Sequence, residues 1–394
     1  MTKPIIYLDH AATTPVCPAA AQAAVEAMTQ HFGNPSSQYP LGKAAAKRRE
    51  EHRSTVAAAL GCAPEELFFT SCGTEGDNWA IRAAVEKNQK KGRHIVTTAI
   101  EHDAVLQPMK ALQAQGFEVT FLRPDAHGNI DSQAVRDAIR PDTILVSMML
   151  VNNEIGSVLP VRTAAEAIRE KGSPALLHTD AVQGFLKLPF TPEELGADLI
   201  TICAHKIRGP KGIGALYIKK SLAYKRYASP DSFALDPAFR PLLLGGGQEK
   251  GLRPGTEATA QVAAFAAAVE AWGPGTADAI RQIRDYAAGQ LSAIPGVSLI
   301  TDISTAAPHI LALSLPDFSG QTIVEALGSQ GVCISSGSAC HRGKPSHVFA
   351  AMPIPEKVKY GAIRVSFGPE STQAEVDELV RLLRHICEKK SLLF

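Results

Sequence analysis

Leu199-Ile-Thr-Ile-Cys203 runs without a break into Ala204-His205-Lys206 and then into the turn Gly209-Pro-Lys-Gly212. A short apolar, β-branched run closed by Gly and Pro reads as a strand buried on both faces, as in a parallel sheet covered by helices. The pattern repeats on both sides. Glu66–Thr70, His94–Thr98, Glu118–Leu122, Thr143–Met148, Ala175–Thr179 and Gly214–Ile218 read as strands of the same kind. Helical stretches at Glu75–Asn88, Ala104–Gln115 and Arg162–Lys171 lie between several of them. The expected fold class is α/β, with a large domain built on a mostly parallel seven-stranded sheet.

The last third has a different texture. Thr256–Trp272 and Ala277–Ala293 read as helices separated by the Gly273-Pro274-Gly275 break. Strands are expected at Val297–Thr301, Ile310–Leu315, Val332–Ser335 and Ala362–Phe367, and a closing amphipathic helix near Thr372–Lys389. This is a smaller α+β domain. The natural boundary falls near residues 250–260, and the first dozen residues fit either part. The expected division is a large domain over 13–257 and a small one formed by 1–12 together with 258–394.

Composition excludes several classes of protein. The 394 residues are 45% apolar and 20% charged, close to the averages for globular chains. Forty Lys and Arg against 39 Asp and Glu leave a net charge of +1, so no basic excess points to nucleic acid or to a membrane surface. No apolar run reaches the length of a membrane span. The first ten residues lack the basic-then-apolar layout of a secretory signal, so a cytoplasmic location is expected. Seven cysteines, an odd number with no C-x-x-C pair, support neither a disulfide framework nor a zinc site, and no metal is expected.

Three places in the chain carry candidate chemistry, the second made of two strand ends. In Phe69-Thr-Ser-Cys-Gly73-Thr74-Glu75-Gly76-Asp77-Asn78 a strand passes through small residues straight into a helix. Its free backbone N–H groups and the positive end of the helix dipole make an anion site. An ordinary helix capped by Thr74 is the plain alternative. Lys206 ends a buried strand, where desolvation lowers a lysine's pKa and suits it to Schiff-base chemistry; a surface lysine is the alternative there. The run Ala-Leu-Leu-His-Thr ends in Asp180, with Gln183 three residues on. A carboxylate so placed is what the ring nitrogen of pyridoxal phosphate requires. Thr74, Asp180 and Lys206 all fall at carboxyl ends of strands, which share one crevice in an open α/β sheet. The third stretch, Ser335-Ser-Gly-Ser-Ala-Cys340-His341-Arg342-Gly343-Lys344, sets Cys340 beside cationic neighbours that favour thiolate, or else exposes an idle thiol.

Taken together, the residues resemble the cysteine desulfurases of the class V aminotransferase family, which are fold-type I pyridoxal-phosphate enzymes. The motifs that carry the resemblance run almost end to end. They are Tyr7-Leu-Asp-His-Ala-Ala-Thr-Thr-Pro15, Gly33-Asn-Pro-Ser-Ser37, Thr70-Ser-Cys-Gly-Thr-Glu75, Glu101-His102 and Val151-Asn-Asn-Glu-Ile-Gly156. Asp180-Ala-Val-Gln183, His205-Lys206 with Gly209-Pro-Lys-Gly212, Arg253-Pro-Gly-Thr256, Ser335-Ser-Gly-Ser-Ala-Cys340 and Ile363-Arg-Val-Ser366 complete the series.

The resemblance implies that Lys206 bonds the cofactor aldehyde, that Asp180 pairs with the pyridine nitrogen and that His102 stacks on the ring and shuttles a proton. It implies Gln183 and Asn153 at the ring hydroxyl, and Gly73, Thr74 and His205 at the phosphate. Thr256 would reach the phosphate of a partner subunit, implying a homodimer. Arg364, helped by Asn34, would hold the substrate carboxylate, and Cys340 would take sulfur from L-cysteine as a persulfide and pass it to an acceptor. Three departures stand out. Cys203 occupies a place where the family commonly has a phosphate-binding Ser, Tyr39 one where His often follows G-N-P-[SA]-S, and the segment after Cys340 is short and basic. The competing readings are selenocysteine lyase or another class V activity on the same cofactor. A non-catalytic sulfur carrier or scaffold-binding protein is the reading from a different class.

Overall fold

The computed structural model describes residues 5–226, 233–236, 238–336 and 346–391. Strand β1 (Ile6–Tyr7) and helices α1 (Pro18–Thr29) and α2 (Pro40–Leu60) precede the main sheet. Both helices have Pro in the first turn, where its missing N–H costs nothing. Next come β2 (Leu67–Thr70), α3 (Gly73–Asn88), β3 (His94–Thr98), α4 (Asp103–Ala114), β4 (Glu118–Leu122), α5 (Ser132–Ala138) and β5 (Thr143–Ser147). Helix α6 (Val161–Glu170) and strands β6 (Leu176–Asp180), β7 (Leu199–Cys203) and β8 (Gly214–Ile218) complete this part.

The seven strands β2 to β8 form one sheet in the order β2-β8-β7-β6-β5-β3-β4. Only β8 runs against its neighbours, pairing antiparallel with both β2 and β7. Every residue of β3, β5, β6, β7 and β8 is buried, as a sheet covered on both faces requires. Gly214 lies opposite both Thr70 and Cys203 in the register. A Cβ there would come within 2.8 Å of Ile202 O and 3.0 Å of Thr70 Oγ1. Glycine is what lets the ends of β2 and β7 close on the start of β8.

Helix α7 (Thr259–Ala271) packs on α1 and α2 and shares the apolar core that backs β6 and β7. Helix α8 (Thr276–Ser292), strands β9 (Ser298–Leu299) and β10 (Ile310–Ser314), helix α9 (Gly320–Ser329), strands β11 (Val332–Cys333) and β12 (Ala362–Ser366), and helix α10 (Gln373–Ser391) follow. They enclose a core of their own around Leu311, Leu313, Ile363 and Val365. Strands β9, β10 and β12 form an antiparallel sheet, and β1 pairs parallel with β11. Residues just after β1 therefore start on the small sheet, where Asp9 bridges Ser366, and continue to the turn that carries Lys206.

Candidate active site

The carboxyl ends of β2, β6 and β7 open into one pocket. Gly73, Thr74, His102, Asn153, Asp180, Gln183, Cys203, His205 and Lys206 all line it, joined by Cys72, Asp77, Met149 and Val182. Lys206 closes a 3-10 turn immediately after β7. Its Nζ donates to the carbonyls of Ala11 and Ala12 at 2.6 and 2.7 Å. The residue keeps partial solvent exposure. The surrounding protein nevertheless desolvates the ammonium and brings it down to about 8. His205 bonds Thr13 Oγ1 through Nδ1 at 3.2 Å, and burial followed by the charge of Lys206 lowers it to about 3, so it is neutral.

Asp180 is the last residue of β6, with Oδ1 accepting from Val182 N–H at 2.9 Å. Burial and repulsion by Asp77 raise its carboxyl, and burial raises that of Asp77. Asp77 projects from the second turn of α3, with Oδ1 3.4 Å from His178 Nε2. His178 also contacts Ser147 Oγ and Thr201 Oγ1 at 2.9 and 3.1 Å, and burial holds it down to about 4. Asp77 and the neutral His178 thus form a buried polar layer next to Asp180. Asp77 was not among the expected site residues. It stands four places after Gly73, the spacing that brings two helical residues to one face.

Helix α3 begins at Gly73, with Cys72 at the N-cap and no side-chain cap. The alternative of a helix capped by Thr74 is therefore corrected: the strand-to-helix turn is only Ser71-Cys72, and Thr74 lies inside the first turn. The first N–H groups of α3 remain available to an anion. His102 caps α4, its Nδ1 accepting from Ala104 N–H at 3.1 Å. In the neutral ring this leaves the proton on Nε2. The buried Glu101 beside it takes Thr98 Oγ1 at 2.7 Å and Met149 N–H at 3.0 Å, fixing that turn.

Arg364 is buried on β12 and held by Asp9 Oδ1 at 2.7 Å, Ser335 Oγ at 3.0 Å and Asn153 O at 2.8 Å. Its backbone bridges Ser335, and Asn153 lines the pocket, so the guanidinium is tied to the pocket wall. Three expected residues, Arg364 and two others, are not in the pocket lining itself. Asn34 is exposed and turns its Oδ1 back to Ser36 N–H at 2.9 Å. Thr256 is exposed and lines a separate cavity with Arg49, Ser71 and Arg253. Arg253 donates to Glu75 at 2.9 Å, which fastens that loop to the first turn of α3. Tyr39 is exposed at the N-cap of α2. Cys340 lies outside the described residues.

The pocket fits a flat ring carrying an anionic group. The first turn of α3, neutral His205, the Asp180 carboxyl group and the Lys206 amine all line it. A Cβ on Gly73 would touch Val182 Cγ2 at 3.0 Å, so the small residue keeps that turn open. Among the described residues no cluster of metal-ligating side chains occurs, and no helix is long and apolar enough to cross a membrane.

Known proteins share both sequence and shape with this chain. A cysteine desulfurase from Nostoc sp. (strain PCC 7120) is 38% identical over 391 residues, covering 98% of this chain and 93% of that protein. A solved NifS-like protein superposes with a TM-score of 0.87 at 34% identity, covering 98% of this chain and 99% of the other. The solved structure of SspA in complex with cysteine gives a TM-score of 0.78 at 31% identity, covering 93% and 99%. The family model of the class-V aminotransferases matches residues 6–379. By this near-complete match, together with the mostly parallel sheet and the pocket at its carboxyl edge, the chain belongs to the aminotransferase class-V family.

Proposed function

We propose that this protein is a pyridoxal-phosphate-dependent cysteine desulfurase, converting L-cysteine to L-alanine and passing the sulfur through Cys340 to an acceptor. The observation that carries the reading is that Lys206, Asp180, His102 and the first turn of α3 line one pocket. Relatives named as cysteine desulfurases over nearly the full chain support it.

Pyridoxal phosphate, when bound, supplies an electron sink for charge developing at the substrate Cα. Lys206 Nζ, Asp180, His102 and Gln183 would hold its ring, and Gly73, Thr74, His205 and Cys203 its phosphate. Asp180 keeps a proton on the ring nitrogen by supplying the opposing charge. Lys206, with its ammonium brought down to about 8, spends part of its time as a free amine and takes the Cα proton. His102, with its proton on Nε2, donates or returns a proton near the ring face. Arg364 binds the substrate carboxylate, its fork oriented by Asp9 and Asn153.

Cys340 attacks the substrate Sγ as thiolate. An S–S bond forms, the Cβ–Sγ bond breaks with its electron pair going to carbon, and protonation at Cβ together with return of a proton to Cα completes alanine. The chain neighbours of this segment support the assignment. Ser335 bonds Asp9 and Arg364, Ser346 bonds Glu154, and His347 Nε2 bonds Glu101 O at 2.8 Å next to His102. Cys340 lies four residues after Ser336, a contour of at most ~14 Å.

The same reading includes a homodimer in which Thr256 reaches the partner's phosphate site. Exposed Val25, Met28, Phe32, Tyr39 and Leu41 on and between α1 and α2, with Leu244 90% exposed, support a covered face. The protein loaded with pyridoxal phosphate is expected to release alanine and sulfide from L-cysteine in equal amounts when a reductant is present. Keto-acid formation in place of alanine would assign it to another class V activity.

A further inference from the structure

His309 precedes β10, is fully buried and lies outside the pocket lining. Its Nε2 stands 3.0 Å from Gln183 Oε1, while Gln183 Nε2 donates to Ala11 O at 2.9 Å. These contacts determine one another. A backbone carbonyl only accepts, so Ala11 requires the amide nitrogen of Gln183 on its side. The amide oxygen must then face His309. That oxygen also only accepts, so the imidazole must carry its proton on Nε2. Turning the amide over would set two oxygens 2.9 Å apart with no proton between them, and would leave the buried Gln183 oxygen unsatisfied. Burial keeps the ring neutral, consistent with a single proton on Nε2.

The same Ala11 carbonyl takes Lys206 Nζ at 2.6 Å. One main-chain oxygen therefore orients both the reactive amine and the Gln183 amide, and His309 holds the amide from its other end. Gln183 lines the pocket and has a second N–H left for it.

We propose that His309 is a positioning residue: its Nε2–H locks the Gln183 amide so that Gln183 offers a donor, and no acceptor, to an anionic oxygen on the bound pyridine ring. This rests on the pyridoxal phosphate reading above.

The test compares equilibrium binding of pyridoxal phosphate and of its 3-deoxy analogue, which lacks the ring oxygen, to protein stripped of cofactor. Wild type is expected to prefer pyridoxal phosphate at least tenfold. His309→Leu should shrink that ratio severalfold, and His309→Gln, which keeps an N–H donor, should restore it. A purely structural role would weaken both ligands alike and leave the ratio unchanged, overturning the proposal. Nitrogen-15 shifts of labelled histidine give a second reading on the unmutated protein: His309 must be the neutral Nε2–H tautomer, and an Nδ1–H ring overturns the proposal even if His309→Leu does not fold. Failure of wild type to bind pyridoxal phosphate at all would overturn the cofactor reading itself, and shows before any variant is made.

Discussion

Arg364 and Asp9, 355 positions apart in the chain, meet at 2.7 Å through Nη2 and Oδ1. The pair is mostly buried, with the arginine side chain 5% and the aspartate 16% exposed. Asp9 follows β1, Arg364 sits in β12, and Ser335 bonds both. The contact joins the small sheet to the pocket wall and pre-orients the guanidinium before any substrate arrives. Lysine in this place is a point charge without the fork. Arg364→Lys is expected to raise KM for L-cysteine by roughly 10-fold or more, about 1.4 kcal/mol or more of lost binding. Steady-state kinetics check this, and an unchanged KM would remove Arg364 from carboxylate recognition.

Lys206 sets a pH dependence with a definite sign. At pH 7 a lysine near 8 is about one-tenth free amine, against about one part in 3,000 for an ordinary one near 10.5. Capture of pyridoxal phosphate by protein stripped of cofactor should accelerate as pH rises and level off above about 8. Stopped-flow absorbance measures it. A rate still climbing toward pH 10 would show that the pocket does not desolvate this lysine.

Cys203 is buried in the pocket lining, and burial pushes its thiol up to about 12. A neutral thiol is a weak donor. Cys203→Ser replaces it with a stronger donor toward the phosphate, so cofactor binding should tighten by roughly 1–2 kcal/mol, on the order of tenfold. Titration of the stripped protein decides the point. Equal or weaker binding would mean that this side chain does not serve the phosphate.

His178 contributes a pH-dependent part of stability. Burial lowers it to about 4 from 6.5, so the unfolded chain takes up its proton first as pH falls. The neutral histidine's contribution is intact above 6.5 and declines toward 4, amounting to roughly 3 kcal/mol at most. Glu101, raised to about 8 by burial, acts in the opposite direction between 8 and its ordinary range, so the comparison must be made against a variant. The Tm gap between wild type and His178→Gln should narrow from pH 7 to pH 4.5. A constant gap would contradict the assignment.

The main sheet was legible because buried strands show as unbroken apolar runs, and its ends shift by a residue or two. Ala175–Thr179 became Leu176–Asp180, which puts the carboxylate inside the strand. Helices α1 and α2 were not read from the sequence. Lys47-Arg-Arg-Glu-Glu-His52 shows no apolar stripe because α2 buries none of these residues, only Gly42, Ala45, Val56, Ala57 and Leu60 on either side of them together with Arg53. Arg53 is 4% exposed and pairs with Glu249, 196 positions away. The helix expected from Thr256 starts at Thr259, since Arg253 draws the preceding loop toward Glu75. In the site, side chains at strand ends were legible by position and type. The Ala11 carbonyl was not, because a main-chain acceptor leaves no residue signature. His309 was missed for a related reason: its partner Gln183 is 126 positions away.

The most direct test of the account is the fate of the sulfur in a single turnover. Loaded protein is mixed with one equivalent of L-cysteine without reductant, then quenched with an alkylating agent and mapped by mass spectrometry. The account predicts a persulfide on Cys340 in step with alanine, and loss of both in Cys340→Ala. Alanine and sulfide formed at wild-type rates by Cys340→Ala would contradict it.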